Sequence, residues 1–268
     1  MRIDIVTVFP QMIAALASGG VVARAIERGL LTLEAWNPRD HADNAYGAVD
    51  DRPYGGGPGM VMMAAPLAKA LHAARARQSG RFRVIHLTPR GGRLTQAEVN
   101  RLAGLDGLVL LAGRYEGVDE RLVELEVDEE WSLGDYVISG GELAAMVLAD
   151  AVMRQRPGVL GHGESARQDS FMTGLLDCPH YTRPSEYCGA RVPEVLLGGN
   201  HEAIRRWRLK QSLVRTLEKR PDLFRARRLN DEEKKMIAEH LDEKQSRKPE
   251  ARPAQPAQPA QPADKDNA

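Results

Sequence analysis

The first 155 residues alternate two kinds of segment, and that alternation leaves few architectures open. Residues 2–9, 31–36, 83–88 and 108–112 are short, apolar and rich in Val, Ile and Leu, as strands buried on both faces are. Between them, 65–77 and 95–103 carry apolar residues at helical spacing. Thr95 followed by Glu98 has the form of a capping box, which marks a helix start. Residues 140–154 give a further helix, with Leu143, Met146, Val147, Ala151 and Val152 mostly on one face. Strand and helix in this order predict an α/β fold with a parallel sheet covered by helices.

Beyond this region the pattern changes. Periodicity vanishes over 156–173, where Gly, Ser and polar residues dominate, so a linker or mobile loop is expected. Residues 200–219 and 231–243 read as helices divided by Pro221, a small helical domain with a basic face. The last stretch, 248–268, contains three PAQ units and almost no large apolar residue, and should be a disordered tail.

Charge is unevenly placed. Ten acidic residues and one basic residue, Arg121, lie between Glu116 and Glu142, whereas 199–230 holds ten Lys/Arg against Glu202, Glu218 and Asp222. The basic stretch reads either as a surface for a polyanion or as a solvated helix face. No apolar run approaches the ~20 residues that span a bilayer, and the amino terminus puts an aspartate inside its apolar stretch, unlike a signal peptide. With two cysteines, Cys178 and Cys188, a disulfide scaffold is excluded and a cytoplasmic location is expected. Cys178, His180 and Cys188 fit no zinc spacing, so structural cysteines and no metal site are expected.

Glycine-rich loops occur at 54–60, 88–93, 113–117 and 134–141. Ligands of open parallel sheets bind beyond the carboxyl ends of the strands, so the loops at Thr88, Gly113 and Leu133 are placed to converge on one pocket. Glycine there lets backbone groups approach a ligand. Neither GxxxxGK[ST] nor a clean GxGxxG after a strand is present, so the usual nucleotide cradles are absent.

Six strings, RPYGGGPGM (52–60), GRYEGVDER (113–121), SLGDYVISGGE (132–142), QDSF (168–171), GLLDCPHYTRP (174–184) and VPEVLLGGNH (192–201), occur in order along the chain. Together they resemble the bacterial TrmD family, tRNA (guanine-37-N1) methyltransferases of the SPOUT or α/β-knot class, over residues 1 to about 245. The resemblance implies a parallel sheet with a deep trefoil knot, although knots are rare among folds in general, and a small, mostly helical carboxyl-terminal domain. It implies an S-adenosylmethionine-binding methyltransferase domain over 1–155 and a flexible linker over 156–173 that carries the catalytic base. A helical tRNA-binding domain over 174–246 and a disordered tail over 247–268 complete the expected organisation.

The same resemblance assigns residues. Adenine would be held around Leu133, Gly134, Asp135, Tyr136, Val137 and Ile138, and the rest of S-adenosylmethionine by Pro89, Gly113, Glu116, Gly140 and Gly141. Glu116 reads either as an acid near a cationic sulfonium or as a solvated carboxylate. Methylating N1 of guanine needs a base for the N1 proton and a cation for the oxygen at position 6. Asp169 matches the family's base and Arg154 the residue that faces the oxygen. An aspartate in water is a feeble base for this proton, so burial under a loop that closes on tRNA is expected. The guanosine would have to leave its stack. Arg205, Arg206, Arg208, Lys210 and Arg215 would grip the phosphates of the anticodon stem-loop.

Family membership further implies a homodimer with composite active sites and a magnesium requirement, for which no carboxylate cage is evident in the sequence. The alternatives are another SPOUT RNA methyltransferase, which would lack PHYTRP and GNH, and a non-catalytic tRNA-binding module, which would not keep Asp169, Arg154 and the glycine loops.

Overall fold

A computed structural model describes residues 1–161 and 163–246, without the side chains of 163–165; the expected PAQ tail lies outside the described residues. The chain opens with β1 (Arg2–Val6), α1 (Pro10–Ala17), α2 (Gly20–Glu27) and β2 (Thr32–Trp36). The short pair β3 (Asp50–Asp51) and β4 (Val61–Met62) leads to α3 (Ala64–Arg75), the long β5 (Phe82–Arg93), α4 (Gln96–Ala103) and β6 (Gly107–Ala112). Then α5 (Glu120–Glu126), β7 (Glu129–Ser132), α6 (Glu142–Gln155) and α7 (Gly163–Gln168) complete a first compact unit, Met1–Thr173.

Five strands form one sheet in the order β2-β1-β6-β5-β7, every neighbouring pair parallel. Side chains of a strand alternate between faces, and the core follows that period. Leu108, Leu110 and Ala112 join Ile3, Ile5, Ile85 and Leu87 in one apolar layer, under Ile13, Val22, Val99 and Leu148 from α1, α2, α4 and α6. Val109 and Leu111 face the other way, onto Leu67 and Leu71 of α3 and Leu122 of α5. Each fully buried Leu or Ile side chain contributes about 1.5–3 kcal/mol, so both faces of the sheet are firmly covered.

The expected strands are present with shifted ends: the first stops at Val6, and the third continues to Arg93 through a register skip between Leu87 and Gly92. That skip throws Thr88–Gly91 out of the ladder above the sheet edge. Gly91 makes it possible, because a Cβ there would lie 2.5 Å from the Trp131 nitrogen. Thr95 is the N-cap residue of α4, but its hydroxyl makes no capping hydrogen bond. Glu98 turns instead to Arg101, at 2.7 Å, so the capping box does not form.

Helix α6 departs further from expectation. Its buried residues are Glu142, Ala144, Ala145, Leu148, Ala149, Val152 and Met153, whereas Leu143 and Val147 are about half exposed, at 48% and 50%. Apolar residues lie on both sides of this helix, the small alanines mostly inward and the larger Leu143 and Val147 outward. Helix α7 falls within 156–173; six residues are too few to show a helical period.

The second compact unit begins at Gly174. A small antiparallel pair, β8 (Glu186–Tyr187) and β9 (Ala190–Arg191), precedes α8 (His201–Lys219), α9 (Pro221–Ala226) and α10 (Asp231–Ser246). Pro221 opens α9, where its missing N–H costs nothing. Asn200 caps α8 by accepting from the Ala203 amide. Asn230 and Glu233 exchange side-chain-to-backbone hydrogen bonds at the start of α10, a reciprocal cap. Leu175, Leu213, Met236 and Ile237 form the core of this unit. Among the described residues no helix is long and apolar enough to cross a membrane.

Candidate active site

The carboxyl ends of β5, β6 and β7 lie side by side, and the segments that follow them enclose a cavity of about 350 Å³. Thr88, Pro89 and Arg90 come from the β5 excursion, Gly113 to Val118 from the loop after β6, and Leu133 to Gly141 from the loop before α6. Of the eleven expected donor-binding positions, Pro89, Gly113, Glu116, Leu133, Gly134, Tyr136, Val137, Ile138, Gly140 and Gly141 line it. Asp135 does not; its position is exposed. The fourth glycine loop also reaches the cavity wall, since the Glu116 amide donates to the Met60 carbonyl.

Two features fix the loop of 133–141. Gly141 donates to the Gly113 carbonyl at 2.8 Å, and a Cβ at Gly141 would lie 2.7 Å from the Ala112 Cα. Only glycine allows the start of α6 to sit this tightly on the end of β6. Arg114 then ties the loop down: Nη1 donates to the Ser139 carbonyl at 3.1 Å, and Nε donates to Glu142 at 2.8 Å. Glu142 is fully buried and also accepts from the Thr7 hydroxyl at 2.8 Å, while the Arg114 guanidinium stacks 4.5 Å over the Phe9 ring. The backbone amides of residues 137–140 have no hydrogen-bond partner among the described residues. Apolar walls from Leu87, Leu133 and Ile138 beside such amides suit a flat heteroaromatic ring whose edge carries acceptors.

Arg154 and Asp169 form a salt bridge, Nη2 to Oδ2 at 2.6 Å, with both side chains partly exposed. They stand apart from this cavity. Arg154 is in the last turn of α6, about 18 Å along the axis from Glu142 at about 1.5 Å per residue. The pair borders a separate depression of about 630 Å³ on the outer side of α6, with Leu143, Val147 and Asp150.

A model of the family described as tRNA (guanine-1)-methyltransferase TrmD matches residues 1–226. The chain belongs to this family. The protein named tRNA (guanine-N(1)-)-methyltransferase of Pseudomonas putida (strain W619) is 57% identical over 244 residues, which are 91% of this chain and 98% of that protein. A protein of the same name from Stutzerimonas stutzeri (strain A1501) is 57% identical over 241 residues, 90% of this chain and 96% of its own length. Another, from Pseudomonas aeruginosa (strain LESB58), is 58% identical over 240 residues, 89% of this chain and 95% of its own.

Within this family member the basic residues of α8 are not equivalent. Arg205 is held by Glu202 and Glu232, Arg206 lies 3.8 Å from Glu232, and Lys210 pairs with Glu243 and Glu239. Arg208 and Arg215 have no carboxylate partner among the described residues. The acids of α10 neutralise much of a stretch whose own residues read as strongly basic. Asp177, Cys178 and His180 bring ligand atoms within 4.8 Å of one another, with the thiol buried, while Cys188 is exposed. Arg114 and Glu142 lie within two of the quoted strings, but nothing local pairs them with each other or with Thr7, because these contacts join residues up to 135 positions apart. His86, which also lines the cavity, reads in the sequence as an ordinary strand residue.

Proposed function

We propose that this chain transfers a methyl group from S-adenosylmethionine to N1 of guanosine 37 of tRNA, beside the anticodon. The observation that carries the reading is the convergence of the glycine segments on one cavity at the carboxyl ends of β5, β6 and β7 in a chain of the TrmD family. Unpaired amides at 137–140, in a loop that Gly141 and Gly140 allow to pack against the Ala112 backbone and the Arg114 side chain, fit a methyl donor held by its adenine edge. When bound, the donor supplies an electrophilic methyl group on a cationic sulfur. Glu116 lines the cavity and favours a ligand with that charge.

Asp169 and Arg154 supply the other half of the chemistry. Side by side they present an acceptor and a cationic donor, the complement of the N1–H and O6 edge of guanine. An entering guanine offers each a new partner, N1–H to the carboxylate and O6 to the guanidinium. Asp169 then takes the N1 proton as the methyl arrives, and Arg154 holds the charge that develops on O6. Because the pair lies about 15 Å along α6 from Ala144, which lines the cavity, we read the working site as built by two copies. The half-exposed Leu143 and Val147 on the outer side of α6 are the apolar surface such a dimer would bury. The close crossing of the 133–141 segment over the end of β6 suits the knotted SPOUT topology.

In this reading residues 1–155 bind the donor, 156–173 bring the base, and 174–246 hold the tRNA with Arg208 and Arg215 foremost, in the cytoplasm. The described residues do not fit a magnesium cage. Their one mixed group joins a thiol and an imidazole to a single carboxylate, whereas magnesium takes oxygen ligands. No step is routed through that ion.

The test is transfer of labelled methyl from S-adenosylmethionine to an unmodified tRNA transcript, with guanosine 37 replaced in a second transcript. Label should enter the first and not the second. Asp169→Ala should abolish transfer yet bind the donor within about twofold of the parent. Normal turnover in that variant removes Asp169 from the mechanism.

A further inference from the structure

His86 is a buried imidazole that the reaction above does not use. It sits on β5 with its side chain 5% exposed, and Nδ1 lies 2.9 Å from Glu130 Oε1 on the neighbouring strand β7. The other ring nitrogen, Nε2, has no hydrogen-bond partner among the described residues, yet it is not sealed in, because the residue lines the cavity beside Gly113. A Cβ at Gly113 would stand 3.1 Å from Nε2, so glycine keeps the approach to that nitrogen clear. Leaving such an atom unpaired in a nearly closed site costs free energy that a ligand can recover.

Glu130 determines what Nε2 offers. An ionised carboxylate only accepts hydrogen bonds, so Nδ1 carries the ring proton and Nε2 keeps its lone pair. Burial lowers the His86 pKa below its ordinary value, outweighing the opposite pull of Glu130. The remaining charges around the ring are Arg90, which lies 3.7 Å from Glu130, and Glu120, which pairs with Arg90. The ring is neutral at pH 7.

We propose that His86 contacts the ligand of this cavity, its Nε2 accepting a hydrogen bond from an N–H group of the methyl donor while Glu130 fixes the tautomer. This rests on the donor reading of the cavity. The adenine amine and the amino-acid ammonium both qualify, and both persist in the demethylated product, so donor and product are held alike. Protonation turns the acceptor into a donor and sets a positive charge beside a cationic ligand. Affinity therefore falls about tenfold for each pH unit below the pKa of the free-state ring.

The test uses the full chain and S-adenosylhomocysteine, which cannot react. Calorimetric affinities are measured from pH 8 to 5.5 for the parent and for His86→Phe, and the ring nitrogens of the parent are followed by 15N NMR. His86→Phe should bind several-fold to about tenfold more weakly at pH 8 and lose the acid dependence. In the parent, the Nε2 resonance should start as an unprotonated nitrogen and shift when the ligand saturates the site. Parent-like affinity in a folded His86→Phe protein, or an Nε2 signal that ignores the ligand, overturns the proposal. Failure of the parent to bind donor or product at any pH sinks the donor assignment instead, and this inference with it.

Discussion

Replacing Glu142 with Ala tests whether the cavity floor is held by a buried charge pair. The carboxylate is fully buried, accepting from Arg114 Nε and from the Thr7 hydroxyl, each at 2.8 Å. Removing one partner of a buried pair costs about 3–5 kcal/mol, because the remaining charge stays where water cannot solvate it. Arg114 keeps its bond to the Ser139 carbonyl and its stack on Phe9, and its side chain is 17% exposed. The low end of that range, about 3 kcal/mol, therefore applies to the arginine. The Thr7 hydroxyl still accepts from the Phe9 amide, and loss of the acceptor for its proton adds roughly 1 kcal/mol. A total near 4 kcal/mol lowers the melting temperature of a unit this size by about 8–16 °C. Scanning calorimetry reads the shift. Glu142→Gln keeps the shape and one acceptor and should lose about half as much. A Glu142→Ala melting point within about 2 °C of the parent would refute the buried-pair argument, since no partly buried arginine could then depend on this carboxylate.

Gly141→Ala drives a methyl group into the Ala112 backbone, so it should cost about 1–3 kcal/mol and abolish donor binding, checked by urea unfolding and calorimetry. Mixing that variant with Asp169→Ala should restore methyl transfer, to about a quarter of the parent rate if subunits exchange freely between symmetric dimers; no recovery after verified exchange would place each site within one chain. In the second unit, burial raises the pKa of Glu233, but the Arg227 side chain and the Asn230 amide more than offset it and hold the carboxyl below the ordinary range. Its contribution to stability is thus complete above the unfolded pKa and is lost as pH falls through the lower, folded value. Hydrogen exchange in α10 should accelerate from about pH 4.5 downward, and Glu233→Gln should flatten that dependence. Arg208→Ala and Arg215→Ala should each lower the salt slope of tRNA affinity by about one, with a smaller change for Arg205→Ala, whose charge Glu202 and Glu232 already balance.

The central strands were legible because every residue of β6 is buried, so its composition needed no alternation to declare itself. Strand β7 has no apolar run to announce it, since two of its four residues are acids: Glu129 lies 2.5 Å from Arg101 and Glu130 holds His86. Helix α6 was found, but its sides could not be ranked, since small alanines face the core while Leu143 and Val147 face out. Ten of the eleven expected donor positions fall on one cavity because they follow adjacent strands, a relation the chain order already contained. Arg114 and Glu142 were missed because an ion pair between positions 28 apart leaves no local spacing to read. The pairing of the basic stretch was not legible in its own residues, because counter-charges lie just past its end on α10.

Helix α6 begins at the cavity floor with Glu142 and ends with Arg154 at the Asp169 pair. Its fourteen residues therefore act as a spacer of fixed pitch. Deleting one residue would turn everything beyond it, the Arg154–Asp169 pair included, by about 100° relative to the cavity and draw it about 1.5 Å inward. Loops around the sheet can lengthen or shorten without such a penalty. The residue count of this one helix cannot.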